Sequence, residues 1–275
     1  MFVTKRSVSL LLSSDPTLGA VNRSADGSTF EVEFSRPLDI PKEALDVEVS
    51  MQSATVWWTV PNILEGKNDT FYIDDNGTPY APVIPEGLYD TPGLNAALVR
   101  ELSALGAPVG LLTLGQDDNS GRVILQFALQ DTSVDFTPLD TPRDILGFDS
   151  QVVGPSPAPP PGGITSVLAP NVAAFNTVNS FLIHGDIVSN GIQLNGLYSQ
   201  ILGRVLIDQP PGSQLLSTPF NPPKVEANEL KGALRKRIRM QLTDQSNRAV
   251  NTAGEYWTAQ LEIVYQVPHE SSLRH

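Results

Sequence analysis

The sequence predicts an all-β protein made of two antiparallel β-sandwiches in tandem, with one short helix packed on the first. Apolar and polar residues alternate in several short segments, as they do in strands with one buried face. The chain has 21 glycines and 23 prolines dispersed among these segments, which is typical of many strands joined by turns. A third observation is the stretch Gly154–Gly163, GPSPAPPPGG, which separates two β-rich halves.

The strand predictions rest on period-two alternation. In Thr29–Phe34, the side chains of Phe30, Val32 and Phe34 share one face, and the two glutamates lie on the other. The same pattern recurs in four further segments, 45–51, 123–129, 238–242 and 257–265. The apolar run at 8–12 is too short for a signal-peptide core, so we expect an edge strand there. Asp-Gly, Asn-Gly and Ser-Gly pairs at 26–27, 76–77 and 120–121 predict turns.

One helix is predicted, at about residues 91–105. Asp90 or Thr91 suits the N-terminal cap and Pro92 suits the first turn. Leucines recur at spacings of four, four and three residues, at Leu94, Leu98, Leu102 and Leu105. Gly106 follows as a stop. This apolar stripe indicates packing on a core rather than a ligand site.

The proline-rich stretch sets the predicted domain boundaries. Proline lacks the donor that a sheet ladder requires, and consecutive prolines form a stiff, extended spacer. We therefore expect an N-terminal sandwich at 1–153, a linker at 154–163 and a C-terminal sandwich at 164–275. The first part carries 9 basic and 22 acidic side chains, a balance of −13, and the last part 9 and 8, a balance of +1, so the acidic surplus of the chain lies in the first part.

Five basic residues crowd into nine positions of the second half: Lys231, Arg235, Lys236, Arg237 and Arg239. This basic cluster has two interpretations. It is either a solvated strand face or a contact with phosphate groups or with an acidic patch on a neighbouring subunit. The overall negative charge argues against nucleic-acid binding as the main function.

Trp57 and Trp58 are adjacent in a predicted strand, so their side chains should lie on opposite faces of the sheet. One should enter the core. The other is a candidate interface aromatic, since aromatic residues are enriched at interfaces; a sugar-stacking platform is the alternative.

No catalytic or cofactor motif is recognisable in the sequence. Three histidines are present, and His184 in a predicted strand has neither a nucleophile elbow nor a patterned partner. The chain has no cysteine, which excludes disulfides and thiolate metal sites. The acidic runs at 74–77 and 117–121 resemble calcium loops but lack the EF-hand spacing, and turn chemistry explains them. We therefore expect no enzyme activity, no cofactor and no metal.

Several segments resemble viral jelly-roll capsid proteins. They are Ile84–Tyr89 running into the helix, Asp144–Phe148, Ser180–Ile187, Arg237–Asp244 and Tyr256–Tyr265. The order is similar to that in proteins of polinton-like viruses and to the smallest double jelly-roll major capsid proteins, the corticovirus type of tailless, membrane-containing icosahedral phages. The resemblance implies two jelly rolls per chain and three chains per capsomer. A single jelly roll with an appended β domain is the alternative.

The resulting functional hypothesis is a structural virion protein, a major capsid subunit that assembles as trimers into an icosahedral shell. It implies synthesis in the host cytoplasm and contacts with other copies, with other capsid proteins and with lipid of an internal membrane, without specific nucleic-acid recognition. The alternative is a β-rich receptor- or glycan-binding module of a phage tail or spike. That module would use Trp57 or Trp58, Tyr72 and Tyr80 as stacking surfaces.

Overall fold

A computed structural model describes residues 2–154 and 164–269, and strands form most of its regular structure. The chain begins with β1 (Phe2–Ser13), a 3-10 turn (Pro16–Leu18), β2 (Ala20–Val21), β3 (Thr29–Asp39) and β4 (Leu45–Trp57). It continues with β5 (Tyr72–Asp75), β6 (Thr78–Tyr80), α1 (Thr91–Ala104), β7 (Thr113–Gln116), β8 (Val123–Phe127), β9 (Thr132–Asp135), α2 (Arg143–Leu146), β10 (Val152–Val153) and β11 (Thr165–Leu168). The last elements are β12 (Ser180–Gly185), β13 (Ile192–Leu194), β14 (Leu197–Leu206), β15 (Gln214–Ser217), β16 (Lys224–Glu226), a 3-10 turn (Asn228–Leu230), β17 (Leu234–Asp244) and β18 (Thr258–His269).

Strands from both ends of the chain combine into two antiparallel sheets. Sheet A has the order β1-β18-β4-β15, with β16 also paired to β4, and sheet B has the order β13-β14-β12-β17-β3-β2. The eight main strands are β1, β3, β4, β12, β14, β15, β17 and β18. Numbered one to eight along the chain, they read 1-8-3-6 in sheet A and 5-4-7-2 in sheet B, which is the strand order of a jelly roll.

This pairing corrects the predicted domain boundaries. The chain forms a jelly-roll unit from residues 1–60 and 178–275, and an insert from residues 61–177. The N-terminal strand β1 pairs with the C-terminal strand β18 along its full length, from Phe2–His269 to Ser13–Thr258. The predicted sandwiches at 1–153 and 164–275 therefore do not correspond to the units of the structure. Apart from Gly154, the predicted linker at 154–163 lies outside the described residues.

Residues from both sheets pack together in the core of the jelly-roll unit. Phe30 on β3 meets Trp257, which immediately precedes β18, edge to face with ring centroids 4.9 Å apart. Gly203 on β14 lies directly against Met51 on β4, and a Cβ atom at position 203 would collide with the methionine side chain. The predicted alternation in β4 and β18 is confirmed, because Val47, Val49 and Met51 are buried, as are the alternate residues of β18 from Ala259 to Tyr265.

The insert has its own sheets and its own core. Its sheets have the orders β10-β9-β5-β6 and β11-β8-β7, so the described strands form sheets of four and three rather than a second eight-stranded jelly roll. Phe136 and Phe148 stack with centroids 4.9 Å apart within this core. The predicted all-β fold with a short helix is confirmed, but the two sandwiches are one jelly roll and one smaller β insert.

The predicted helix is α1, and it belongs to the insert. Asp90 caps it, because its Oδ1 atom accepts a hydrogen bond of 2.8 Å from the backbone N–H of Gly93. Leu94, Leu98 and Leu102 are buried, and Asn95 on the same helix accepts a hydrogen bond of 2.8 Å from the backbone N–H of Leu114 on β7. The fourth leucine of the predicted stripe, Leu105, is the C-cap and is exposed.

Candidate assembly surface

The two adjacent tryptophans lie on opposite sides of sheet A. Trp58, directly after β4, is only 5% exposed and belongs to the core. Trp57, the last residue of β4, is half-buried and faces outward, opposite Gln214 of β15. The residue left for an interface is therefore Trp57.

Trp57 belongs to a continuous uncharged patch on the outer face of sheet A. The patch consists of three cross-strand rows, Leu11–Gln260–Ser53, Ser13–Thr258–Thr55–Leu216 and Trp57–Gln214. Opposed residues share a face of the sheet, so these nine side chains lie on one surface. None of them is charged, and Ser53 and Gln260 hydrogen-bond across the strands at 3.3 Å.

Two leucines make this uncharged patch unusual for a solvated sheet face. Leu11 on β1 is 75% exposed and Leu216 on β15 is 69% exposed. Exposed apolar groups on a surface without charges are typical of contact surfaces, whose centres are depleted of charged residues and enriched in aromatics. Sequence reasoning found Trp57 but missed the rest of the patch, because the rows depend on the pairing of distant strands.

The basic cluster lies on β17 and the turn before it, and part of its charge is neutralised within the chain. The guanidinium of Arg237 contacts the Glu33 carboxylate on the neighbouring strand β3 at 2.9 Å. Arg235 lies 3.9 Å from the carboxylate of Asp186, which also accepts a hydrogen bond from the backbone N–H of Arg239.

Three side chains of the basic cluster remain unpaired within the described part of the chain: Lys231, Lys236 and Arg239. Lys236 and Arg239 are exposed, and Lys231 is half-buried. The cluster thus presents less free positive charge than its sequence suggests. Its predicted role in contacts stays a prediction.

The candidates for chemistry have structural roles. His184 is buried on β12, where Nε2 lies 2.9 Å from Thr243 Oγ1, and burial lowers the pKa of the imidazole. Asp74 and Asp117 accept hydrogen bonds from the backbone of their own turns, from Gly77 N at 2.9 Å and Ser120 N at 3.1 Å. Among the described residues, no group of three or more histidine or acidic side chains is arranged to hold a metal ion. No helix within these residues has the length and apolar character needed to cross a membrane.

Comparison with known proteins gives structural similarity only. No family model matches the chain, and no curated protein matches it. The mavirus penton protein is similar at 11% identity over 95% of this chain and 99% of that chain, with a TM-score of 0.47. A Sputnik virophage structure is similar at 14% identity over 94% of this chain and 97% of that chain, with a TM-score of 0.42. Both are viral structures. Because both TM-scores lie below 0.5, neither similarity says what this chain does.

Proposed function

We propose that this chain is a structural virion protein, a capsid subunit that assembles with copies of itself and with other capsid proteins. The observation that carries the proposal is the uncharged patch of sheet A, in which Leu11, Trp57 and Leu216 lie among uncharged side chains. A fold by itself does not assign a function, and jelly rolls occur in lectins and enzymes as well as in capsids. The patch is a specific feature that favours assembly, since an exposed apolar surface on a monomer would be a liability.

The open edge of sheet A supports the same proposal. The twelve-residue strand β1 pairs with β18 on one side and is the last strand of the sheet on the other. Long edge strands attract further strands unless charges, prolines or a partner cover them. The only charged residues of β1 are Lys5 and Arg6, so the half of the strand near Leu11 has no such protection. A neighbouring copy would cover both the edge and the patch.

The finer proposal, taken from the sequence resemblance, is a major capsid subunit that forms homotrimers in an icosahedral shell, after synthesis in the host cytoplasm. The structure has one jelly-roll strand order per chain, whereas the resemblance implies two. The number of chains per oligomer therefore has to be measured, and the oligomer mass gives it directly. A trimer predicts three times the subunit mass of 29.7 kDa in light scattering. A five-fold mass would contradict the trimer and favour a subunit of the five-fold vertices.

The experiment that tests the assembly surface replaces Leu216 with glutamate. A carboxylate buried in the contact would be desolvated without a partner, so we expect assembly to weaken at least tenfold. Leu18→Glu is the matched control, because Leu18 is 72% exposed and lies in the 3-10 turn outside the patch. Size-exclusion chromatography with light scattering measures both variants. A wild-type protein that stays monomeric at high concentration would contradict the capsid proposal, and normal assembly of Leu216→Glu would exclude the patch as the contact.

A further inference from the structure

A concave cleft lies in the insert and includes none of the residues of the uncharged patch or the basic cluster. It has a volume of about 400 Å³ and is lined by residues of strands β5, β6 and β9. Its lining includes Tyr72, Asp74, Pro79, Ala81, Ser133 and Asp135. A volume of this size lies within the range of about 300–1,000 Å³ that is typical of small-ligand sites.

Strand register shows why these side chains converge. Tyr72 is opposite Asp135, and Asp74 is flanked by Ser133 on one side and Pro79 on the other. The intervening residues Ile73, Val134 and Val153 face the core of the insert and are buried. The outer face of this sheet thus combines an aromatic ring and a proline ring with two carboxylates and a hydroxyl group. Tyr80 also lines the cleft, but it is opposite Ile73 and packs against the core, so we assign the stacking role to Tyr72.

The cleft side chains are held in place by the protein itself. The phenol of Tyr72 donates a hydrogen bond of 2.9 Å to Asp140, which raises the tyrosine pKa and fixes the ring. Oδ1 of Asp135 accepts from the backbone N–H and the hydroxyl of Thr137 at 2.8 and 2.7 Å. Oδ1 of Asp74 accepts from its own turn. The Oδ2 atoms of both aspartates accept no hydrogen bond within the described residues, so two positioned acceptors remain available.

Charge narrows the class of ligand. The insert has 14 acidic and 4 basic side chains, a balance of −10, so it carries most of the net charge of −12. An anionic ligand would meet both the local carboxylates and this field, and repulsion of that kind excludes wrong partners. The cleft therefore favours ligands that donate hydrogen bonds and are neutral or positively charged.

We propose that this cleft binds a carbohydrate without acidic groups, a neutral or amino sugar. The apolar faces of a sugar ring pack on flat side chains such as Tyr72 and Pro79. Its hydroxyl or ammonium groups donate to Asp74 and Asp135, and hydrogen bonds to a carboxylate are stronger than those between neutral groups. This binding activity is separate from assembly, because the cleft belongs to the insert and the uncharged patch to the jelly-roll unit.

Saturation-transfer NMR on the full chain tests the proposal, with methyl glycosides of neutral hexoses, N-acetylglucosamine, glucosamine and N-acetylneuraminic acid as probes. We expect transfer to at least one neutral or amino sugar and none to N-acetylneuraminic acid. Tyr72→Ala and Asp135→Asn should each weaken binding and raise the dissociation constant at least tenfold. Tyr72→Phe should bind more tightly than Tyr72→Ala, because it keeps the ring, but more weakly than the wild type, because it loses the hydrogen bond to Asp140 that fixes the ring. The matched control is Asp118→Asn, which removes one exposed charge from the insert outside the cleft.

Three results would overturn the proposal: no transfer to any sugar from the wild type, equal transfer to N-acetylneuraminic acid, or unchanged binding by Asp135→Asn. Circular dichroism of each variant identifies a folding failure, and Asp135→Asn carries the test if Tyr72→Ala does not fold. Light scattering of the same variants separates the two functions. Lost sugar binding with normal assembly supports the cleft, and lost assembly in Asp135→Asn would show that the substitution acts on the oligomer instead.

Discussion

Leu98→Ala tests whether helix α1 is part of the insert's core. Leu98 has no exposed surface and lies between Leu94 and Leu102 on the buried stripe of the helix. Alanine keeps the helix, since it has the highest helix propensity, but removes three buried carbon atoms. The substitution therefore changes packing and little else.

The magnitude follows from burial. Each buried carbon contributes about 0.8 kcal/mol of transfer free energy, so three contribute roughly 2.5 kcal/mol before any cavity is counted. A cavity that collapses only partly adds to this, and measured losses for such substitutions are about 2–5 kcal/mol. With a urea dependence of about 1–3 kcal/mol per molar, the midpoint of the insert's unfolding should fall by about 1–2 M.

The assay compares tryptophan fluorescence with the circular dichroism of the helix, because these two signals report on different units of the chain. All three tryptophans, Trp57, Trp58 and Trp257, lie in the jelly-roll unit, whereas α1, the longest helix of the described residues, lies in the insert. Because each unit has its own core, we expect the circular dichroism transition of the helix to move while the tryptophan fluorescence transition stays. Val99→Ala is the control, because Val99 is 43% exposed on the same helix and should cost less than about 1 kcal/mol. A loss below about 1 kcal/mol for Leu98→Ala would mean that the helix is peripheral, and an equal shift of both signals would show that the two cores unfold together.

Two further predictions concern the jelly-roll unit. Trp58→Ala should destabilise the protein by about 3–5 kcal/mol in chemical denaturation, and Trp57→Ala by less than half of that; equal losses would contradict their assignment to opposite faces. Burial acts to raise the pKa of Asp26, but hydrogen bonds from Ser24 and Ser28 outweigh it and hold the pKa below its ordinary value. Such a carboxylate stabilises the folded state above its unfolded pKa of about 3.9, and this stability is lost as the pH falls through the lower, folded pKa. Asp26→Asn should therefore make the unfolding free energy less dependent on pH in the acid range, and a denaturation series below pH 5 that matches the wild type would contradict this.

Local patterns in the sequence were sufficient to predict the long strands that alternate clearly and the helix α1. The alternation in 45–51 falls within β4, and that in 257–265 falls within β18 except for Trp257. The cap, spacing and stop of the leucine stripe located α1 to within a residue at each end. These signals are local because strand alternation and helix capping depend on residues a few positions apart.

The topology could not be predicted from the same patterns. Alternation shows that a segment is a strand, but it does not show which distant strand is its partner. The proline-rich stretch at 154–163 suggested a boundary, yet the chain leaves the jelly-roll unit after β4 and returns at β12, where no comparable composition change occurs. The ion pair of Arg237 with Glu33 depends on the pairing of β17 with the distant strand β3. Counting charges in the sequence therefore overestimates the unpaired positive charge of the basic cluster.

The concentration of negative charge in the insert leads to a last prediction. It decides whether copies meet through the uncharged patch or through the basic cluster. A net charge of −10 lies on the insert, so inserts of neighbouring copies repel one another. Salt screens this repulsion, and its range falls from about 10 Å at 0.1 M to about 3 Å at 1 M.

If copies meet through the uncharged patch, assembly should be maintained or strengthened as salt rises. If the basic cluster meets the acidic insert of the next copy, assembly should weaken with salt, and replacing Arg235, Lys236 and Arg237 with glutamine should weaken it most at low salt. Light scattering of the wild type and the triple variant between about 0.05 and 0.5 M salt, a range over which the screening length falls about threefold, measures the difference. Assembly that weakens with salt in the wild type and is lost in the triple variant would exclude the patch as the dominant contact. Assembly that is unaffected by both changes would leave the cluster as a solvated strand face.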